Sequence, residues 1–377
     1  MASLRKLALA GAALVAAGGV AFWLLTQPDR LDAAALASLG AGDATRGEQV
    51  FWASGCASCH AAPGASGQDR LVLAGGERFA TPFGTFVAPN ISQHESDGIG
   101  RWSAQDLANA MMRGVSPDGR HYYPAFPYTS YARMRVEDVA DLHAFMQTLP
   151  AVEGEAGPNE LGFPFTLRRG LGLWKLLHLD PEPVVALDDP SPQVARGQYL
   201  VEGPGHCGEC HTPRDFTGGL DTSRWLAGGP SMEGPGRIPN ITPSSDGIGS
   251  WSEFEIAAYL ESGFTPEFDS AGGRMAAVVR NLARLPEEDR QPACVRACPA
   301  GARHFGDLGD PDSAVSRLVA ERDGVDLLPE LGYRPTNKYL PPRPRRAGPT
   351  DAQPAEEAFD PSQLPTPLRW LDKLLGR

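Results

Sequence analysis

The sequence has few cysteines and no excess of positive charge, and both absences limit what the chain is. Only six of its 377 residues are cysteine, so the chain is not a small fold held together by a framework of disulfides. The formal net charge is −12 and no basic patch interleaved with aromatic residues occurs, which argues against a nucleic-acid-binding protein. Long strand patterns are also missing, and their absence predicts a mainly α-helical chain.

Two pentapeptides contain four of the six cysteines. Residues 56–60 read CASCH and residues 207–211 read CGECH, so both have the spacing C-x-x-C-H. Two thiols one helical turn apart can each bond to a vinyl group of a haem, and the histidine that follows can bind the iron as its proximal ligand. This is the attachment pattern of c-type haem, and its occurrence twice predicts two covalently bound haem c groups. The predicted attachment thiols are Cys56, Cys59, Cys207 and Cys210, and the predicted proximal ligands are His60 and His211.

The surroundings of the two pentapeptides repeat as well. The strings Pro-Asn-Ile, Asp-Gly-Ile-Gly and Trp-Ser follow each pentapeptide in the same order. A helical pattern precedes each pentapeptide, and another begins after Ser103 and after Ser252, which are suitable N-cap residues. The repeat therefore predicts two small helical domains in tandem, each built around one haem.

The repeat also sets the expected domain boundaries. The first domain covers residues 42–150 and ends with a helix at 136–149, whereas the second covers residues 193–291 and stops before a helix of that kind. Its last helix is therefore missing. Residues 151–192 form the linker, and its apolar stretch 167–177 is either a short amphipathic helix packed on the domains or an apolar patch in a solvated connection.

An apolar segment begins the chain. Arg5 and Lys6 precede residues 7–25, which are all apolar or glycine and would span about 28 Å as a helix, close to the thickness of a bilayer core. The basic flank places the N-terminus in the cytoplasm. Residues 1–28 are expected to be an uncleaved anchor in the inner membrane, and a cleaved signal peptide is the alternative. Both put the haem domains in the periplasm.

A haem that only carries electrons needs a second axial ligand, and a methionine thioether is the usual choice. Met134 follows a loop and stands just before a predicted helix, and Met275 follows a glycine-containing loop before a predicted helix at 276–285. These two are the predicted distal ligands. In the second domain Met232 is the alternative distal ligand. His121 is expected to form hydrogen bonds in a loop rather than to bind iron.

Three strings in the first copy carry a family resemblance. They are similar to strings in the cytochrome c subunits of membrane-bound periplasmic dehydrogenases, such as those for alcohol and gluconate. The resemblance covers about residues 40–290 and implies two tandem class I cytochrome c-like domains. Several relatives have a methionine, the expected ligand, at the position of Phe126, and this difference moves the expected ligand to Met134. The strings are FGTFVAPNI, DGIGRWS and DGRHYYPAFPY.

The tail changes character after residue 291. Residues 292–345 resemble part of the iron–sulfur subunit of DMSO-reductase-type molybdoenzymes, including sulfite dehydrogenases, which implies a partial ferredoxin-like segment. A four-iron cluster needs four thiolates, and only Cys294 and Cys298 remain, so no iron–sulfur cluster is expected. The tail either substitutes for the missing helix or results from fusion of two reading frames, which the sequence favours. Residues 346–377 form a proline-rich tail, and disorder is expected over residues 341–367.

Together these features predict a membrane-anchored dihaem cytochrome c that relays single electrons and performs no substrate chemistry itself. The expected donor is a periplasmic dehydrogenase or a molybdoenzyme, and the expected acceptor is a soluble cytochrome, a quinone site elsewhere or a terminal oxidase. One alternative is a dihaem peroxidase, which needs one iron with an open sixth position. Another is a docking subunit whose tail binds a molybdoenzyme.

Overall fold

The structure is a computed structural model that describes residues 2–285, 308, 314–326 and 338–340. Cys294, Cys298 and the proline-rich tail lie outside the described residues. The chain divides into two units after residue 303, and each unit is described by itself.

Helix α1 (Ala2–Leu25) is long and apolar. Its residues 5–25 form a stretch that is long and apolar enough to cross a membrane, and their side chains are exposed. At 1.5 Å per residue, 21 residues span about 31 Å, which matches a bilayer core. The apolar helix expected at the N-terminus is therefore present, although a signal sequence has the same features.

The first half of the chain, up to residue 149, surrounds one apolar core. Strands β1 (Arg78–Thr81) and β2 (Gly84–Val87) pair antiparallel at its edge. Buried side chains from the helices of this half form a single cluster. The helices are α2 (Ala33–Ala37), α3 (Ala44–Ala53), α4 (Cys56–His60), α5 (Ala104–Arg113), α6 (Tyr128–Tyr131) and α7 (Val136–Met146), with a 3₁₀ turn at Gly67–Leu71.

Helices α3 and α7 pack closely together. Gly47 of α3 lies against the α7 backbone, where a Cβ atom would overlap the carbonyl oxygen of Asp141. Beside this contact the Phe51 ring lies 5.3 Å from the Phe145 ring, and the Asp141 carboxylate accepts two hydrogen bonds from Arg46. Glycine at position 47 lets the two backbones approach, and the aromatic pair fills the space next to it.

The second half contains a similar series of elements with far fewer buried side chains. Among the residues described after position 150, the buried apolar side chains are Val279 and the prolines Pro204 and Pro213. Helix α12 also packs on α3 and α4 of the first half. The helices are α8 (Leu171–His178), α9 (Pro192–Glu202), α10 (Gly208–His211), α11 (Glu253–Ser262) and α12 (Gly273–Leu282), the strands are β3 (Glu160–Leu161), β4 (Gly229–Pro230) and β5 (Arg237–Ile238), and 3₁₀ turns occur at Arg168–Gly170 and Thr222–Arg224.

Several local expectations from the sequence are confirmed. Ser103 and Ser252 are both N-caps, and each forms a capping box with the acidic residue three positions later, Asp106 or Glu255. The helix expected after Met134 is α7. The apolar stretch of the linker is helical, because α8 covers most of residues 167–177.

Two expectations are wrong in detail. Strands do occur, since β1, β2 and β3 form one antiparallel sheet and β4 and β5 form another. They are two to four residues long, which is too short for an alternating pattern to be recognised. Helix α12 begins at Gly273, so Met275 lies in its first turn rather than before it. Glycine is a poor helix former and hides this start in the sequence.

The second unit is described at fewer positions. It contains helix α13 (Ala314–Glu321) and an isolated β-bridge between Val325 and Tyr339. An ion pair joins Lys338 to Asp326 beside that bridge. A ferredoxin-like fold for the tail stays a prediction.

Gly47→Ala is expected to lower the free energy of unfolding by about 2 kcal/mol, because the added methyl group overlaps the α7 backbone. Gly197 in α9 stands at the matching position of the second copy, where a Cβ atom would meet nothing within 4 Å. Gly197→Ala should instead stabilise the protein by about 0.5–1 kcal/mol, because alanine favours the helix. Denaturant unfolding followed by circular dichroism measures both changes. Effects of equal sign and size would contradict the close packing of α3 on α7.

Candidate haem sites

Each pentapeptide forms a short helix after an abrupt turn. In the first copy α3 ends at Ala53, and Gly55 then adopts a φ of +67°, a left-handed conformation that glycine takes without strain. Cys56 and Cys59 are three positions apart in α4 and so share one face of the helix. In the second copy Cys207 stands directly before α10, and His206 has the positive φ, +39°, that Gly55 has in the first copy. All four thiols are described, and no disulfide joins them.

A hydrogen bond to a proline carbonyl orients the first histidine. Nδ1 of His60 lies 2.8 Å from the carbonyl oxygen of Pro89, which follows β2. The nitrogen that donates to this oxygen is Nδ1, so Nε2 carries the lone pair and is free to bind a metal. Gly75 holds the backbone of His60, because the Gly75 N–H donates to the His60 carbonyl oxygen at 2.7 Å. A Cβ atom on Gly75 would come within 2.5 Å of the Pro89 backbone.

The same arrangement recurs in the second half. Nδ1 of His211 lies 2.9 Å from the carbonyl oxygen of Pro239, and the N–H of Gly228 donates to the His211 carbonyl oxygen at 2.6 Å. A Cβ atom on Gly228 would come within 2.7 Å of the Pro239 backbone. Both histidines are therefore held with the same ring nitrogen available. This geometry is what a proximal haem ligand requires.

The charge states of these side chains also suit the chemistry. Burial lowers the pKa of His60 and of His211, and their bonds to the proline carbonyls only partly oppose that effect. Both imidazoles are therefore neutral at pH 7, which is the form that binds a metal. Burial raises the pKa of Cys56 to about 12 and that of Cys207 to about 11, so these thiols are protonated before they react.

The turns that precede the two pentapeptides meet across the boundary between the halves. The ring of His206, which precedes the second pentapeptide, is 5.6 Å from the ring of Tyr131. The Tyr131 hydroxyl donates to the carbonyl oxygen of Ser54 at 3.0 Å. A Cβ atom on Gly55, which precedes the first pentapeptide, would lie 3.8 Å from Nε2 of His206. The chain segments that lead into the two attachment helices are therefore in contact.

A buried carboxylate fastens the second pentapeptide to the first half. Glu209 accepts hydrogen bonds from the hydroxyls of Thr129 and Ser130 at 2.6 and 2.9 Å, and it pairs with Arg214 at 2.7 Å. Burial disfavours the carboxylate, but Arg214 and the two hydroxyls outweigh this effect and lower the pKa of Glu209. Glu209 is therefore charged at pH 7 and joins α10 to α6.

A buried amide fastens the first pentapeptide to the second half. Nδ2 of Asn281 in α12 donates to Oγ of Ser58 at 2.7 Å, and its Oδ1 accepts a hydrogen bond from Arg70. Arg70 lies over the Trp52 ring at 4.8 Å. Each pentapeptide thus depends on a residue from the other half of the chain.

The first proposed distal ligand lies in the core. Met134 is buried in the same cluster as Ala57 of the first pentapeptide, and Phe126 packs against that cluster. The Phe126 ring lies 5.8 Å from the rings of Tyr122 and Tyr131. The structure therefore brings Met134 and the first attachment helix into one cluster, and its role as iron ligand stays a prediction.

In the second half both candidate methionines lie near one ion pair. Arg274 pairs with Glu233 at 2.8 Å and with Glu77 of the first half at 2.9 Å. These contacts bring the loop with Met232 next to the first turn of α12, which contains Met275. Met275 stays the predicted ligand and Met232 its competitor.

His121 has the hydrogen-bonded role expected of it. It is buried, and its Nε2 lies 2.9 Å from the carbonyl oxygen of Thr26, directly after α1. Burial lowers its pKa, so the ring is neutral at pH 7. His121 therefore ties the end of α1 to the first half.

Sequence reasoning missed the residues that hold the proximal histidines. Pro89 and Pro239 belong to the repeated Pro-Asn-Ile string, but no role was evident for them. Gly75 and Gly228 belong to a second repeated string, Leu-Ala-Gly-Gly, that begins at residues 73 and 226. That repeat is the signal that could have revealed the two glycines.

Known proteins share this arrangement of sequence. A model of the cytochrome c family matches residues 44–150. A dihaem c-type cytochrome of Cereibacter sphaeroides is 56% identical over 288 residues, which make up 76% of this chain and 96% of that protein. The cytochrome subunit of a fructose dehydrogenase from Gluconobacter japonicus is 35% identical over 295 residues, covering 75% of this chain and 60% of that subunit. The chain belongs to the dihaem c-type cytochromes.

Membership of this family defines the cofactor and the role. The chain carries covalently bound haem c and transfers electrons, and it is not itself an enzyme. The relatives do not favour the dihaem peroxidase alternative. The residues present fit the cofactor, because each pair of thiols is followed by a neutral imidazole whose Nε2 is left free.

A shorter match confirms the resemblance of part of this chain to a subunit of a sulfite dehydrogenase. One of the subunits of a sulfite dehydrogenase from Allochromatium vinosum is 58% identical over 64 residues, which make up 17% of this chain and 27% of that protein. The chain thus combines a cytochrome with a fragment similar to a subunit of another oxidoreductase.

Glu209→Gln is expected to lower the free energy of unfolding by about 3 kcal/mol, because the largely buried guanidinium of Arg214 loses its carboxylate. Asp221→Asn is the matched control, since it breaks an equally short pair with Arg224, whose side chain is exposed. That substitution should have no measurable effect, because solvent screens the pair. Urea unfolding of the haem-loaded protein compares the two variants. A loss at Glu209 no larger than at Asp221 would show that Glu209 does not fasten α10.

Proposed function

We propose that this chain is a membrane-anchored electron carrier that accepts single electrons from a dehydrogenase and passes them to a downstream acceptor. The observation that carries the proposal is the pair of matching histidine–proline arrangements beside the two C-x-x-C-H helices. Two such sites, each bonded to a residue of the other half, suit a relay of electrons from one site to the next. The similarity to a fructose dehydrogenase cytochrome subunit supports a dehydrogenase as donor.

The proposed architecture is two tandem class I cytochrome c-like domains at residues 42–150 and 193–291, separated by the linker 151–192. Matching capping boxes and matching β-bridges support the tandem arrangement. The bridges join Val115 to His121 and Phe264 to Ser270, in each case directly after the capped helix. Residues 292–345 would form the segment similar to an iron–sulfur subunit.

The proposed roles of the thiols and histidines follow from their geometry, and those of the methionines from the sequence. The thiols of each pentapeptide would attach the porphyrin, and the iron would be bound by Nε2 of His60 or His211 together with Met134 or Met275. When bound, each haem supplies an iron that takes up and releases one electron. The protein keeps the imidazoles neutral and oriented, and the buried surroundings of the first site limit the access of water.

The proposed location is the inner membrane, with the haem domains in the periplasm. Helix α1 supports this location by its length, its exposed apolar surface and the basic residues at its start. Arg169 and His121 bond to residues at the end of α1, so the helix is joined to the folded part of the chain. These contacts support a retained anchor.

The donor and the acceptor are proposed by chemical class. A periplasmic dehydrogenase fits the relatives, and a molybdoenzyme fits the similarity to a sulfite dehydrogenase subunit. The acceptor would be a soluble cytochrome, a quinone site elsewhere or a terminal oxidase. The net charge of −12 suits partners with a basic docking face.

The function is tested by counting the haems. Mass spectrometry of the exported protein should show two covalently bound haems per chain, and the reduced protein should have a c-type absorption spectrum. The double variant C207S/C210S should retain one haem, because only one attachment helix remains. Unmodified thiols at both pentapeptides would refute the proposal.

The distal ligands are tested by paired substitutions. Met134→Leu should remove about half of the sulfur-to-iron charge-transfer band, because one of the two predicted thioether bonds is lost. Met146→Leu, a buried methionine in α7, is the control and should leave the band intact. In the second half, Met275→Leu should reduce the band and Met232→Leu should not. If the control substitution at either site reduced the band and the predicted one did not, the methionine of the control would be the ligand instead.

A further inference from the structure

Helix α8 buries its one lysine and exposes three of its four leucines, the opposite of what a helix on the surface of a soluble protein does. Leu176 and Leu177 expose 65% and 76% of their surface, whereas Lys175 between them and Leu173 is 8% exposed. A soluble helix buries its leucines and exposes its lysines. The reversal requires both a reason for the buried lysine and an environment for the leucines.

The buried lysine has partners that fix the rotation of α8. Nζ of Lys175 donates to the carbonyl oxygens of Arg113 and Gly114 at 2.6 and 2.7 Å. These carbonyls end α5, where a positive charge is favourable. The ammonium group also lies 4.7 Å from the centre of the Tyr128 ring. Because Lys175 is held inward, Leu173, Leu176 and Leu177 must point outward.

Two further exposed apolar side chains precede α8 in the chain, and a third belongs to a loop that is bonded to α8. Phe163 and Leu167 precede α8 and expose 81% and 61% of their surface, and Phe216 exposes 96%. Trp174 and His178 of α8 both bond to Thr217, so the loop with Phe216 is held against the helix. We call these residues the outer patch. It consists of Phe163, Leu167, Leu173, Leu176, Leu177 and Phe216.

The outer patch is held next to the end of α1. Gly172 of α8 packs so tightly on Thr26 that a Cβ atom would come within 2.6 Å of the Thr26 Cα. Arg169 donates to Oγ1 of Thr26 at 2.9 Å and to the carbonyl oxygen of Trp23 at 2.8 Å, and its guanidinium lies 4.0 Å from the Trp23 ring centre. Tryptophan at the end of an apolar helix marks the membrane–water interface. The interface must therefore pass close to α8.

We propose that the outer patch is a second membrane contact, which inserts into the headgroup–acyl boundary of the leaflet that surrounds the end of α1. The leucines then face lipid, and Lys175 and Arg169 face protein and headgroups. Lipid is favoured over a protein partner because the patch continues from the end of an apolar helix. The inference rests on the proposed anchoring of α1 and adds that the first haem domain is held against the bilayer.

The test uses the full chain in liposomes of phosphatidylethanolamine and phosphatidylglycerol. A nitroxide spin label is attached in the background C294S/C298S at Leu176→Cys, and at Val194→Cys as the control. Val194 is an exposed apolar residue of α9 outside the patch. Collision rates with oxygen and with a water-soluble nickel chelate are measured on the reduced protein. The ratio of oxygen to nickel collisions should be several-fold higher at 176 than at 194, because oxygen concentrates in lipid.

Each other outcome overturns a different statement. Equal ratios at 176 and 194, with the protein still bound after a high-salt wash, would refute the second contact and leave the anchor in place. Release of the whole protein by the wash would refute the anchor itself. Low collision rates with both reagents at 176 would mean that a protein, either a partner or a second copy, covers the patch instead of lipid. As a control for intact folding, both labelled variants must keep their haem.

Discussion

The hydrogen bond between a histidine ring and a proline carbonyl is the constraint on which both sites depend. It places the proton on Nδ1 and leaves Nε2 of His60 and His211 available to a metal. For this bond to form, the loop that carries each proline must return to the end of the attachment helix. Gly75 and Gly228 permit that return, since a side chain at either position would collide with the loop. One hydrogen bond therefore constrains the course of a long loop.

The two halves are mechanically interdependent. Glu209 ties the second attachment helix to α6, and Asn281 ties the first one to α12, so neither helix is held by its own half alone. Buried polar contacts of this kind lose much of their stabilisation when one partner is removed. They keep the relative position of the two sites constant, which suits repeated transfer of electrons between them.

The halves differ in how completely they are packed. In the first half α7 covers α3, and the contact at Gly47 leaves no space between them. In the second half Gly197 faces open space among the described residues, and buried apolar side chains are scarce. Helix α12 instead packs on the first half. Among the described residues, the second site is thus stabilised largely by its neighbour.

The sequence by itself determined the chemistry and the repeat. The spacing C-x-x-C-H, the capping serines and the helix at 136–149 are local patterns, and a few neighbouring residues suffice to specify them. The short strands, the start of α12 and the inward orientation of Lys175 depend on contacts between residues far apart in the chain, which no local pattern records. The same is true of the bonds of Pro89 and Glu209. Only the tertiary structure decided that each attachment helix is bonded to the other half of the chain, because those contacts require the complete course of the chain.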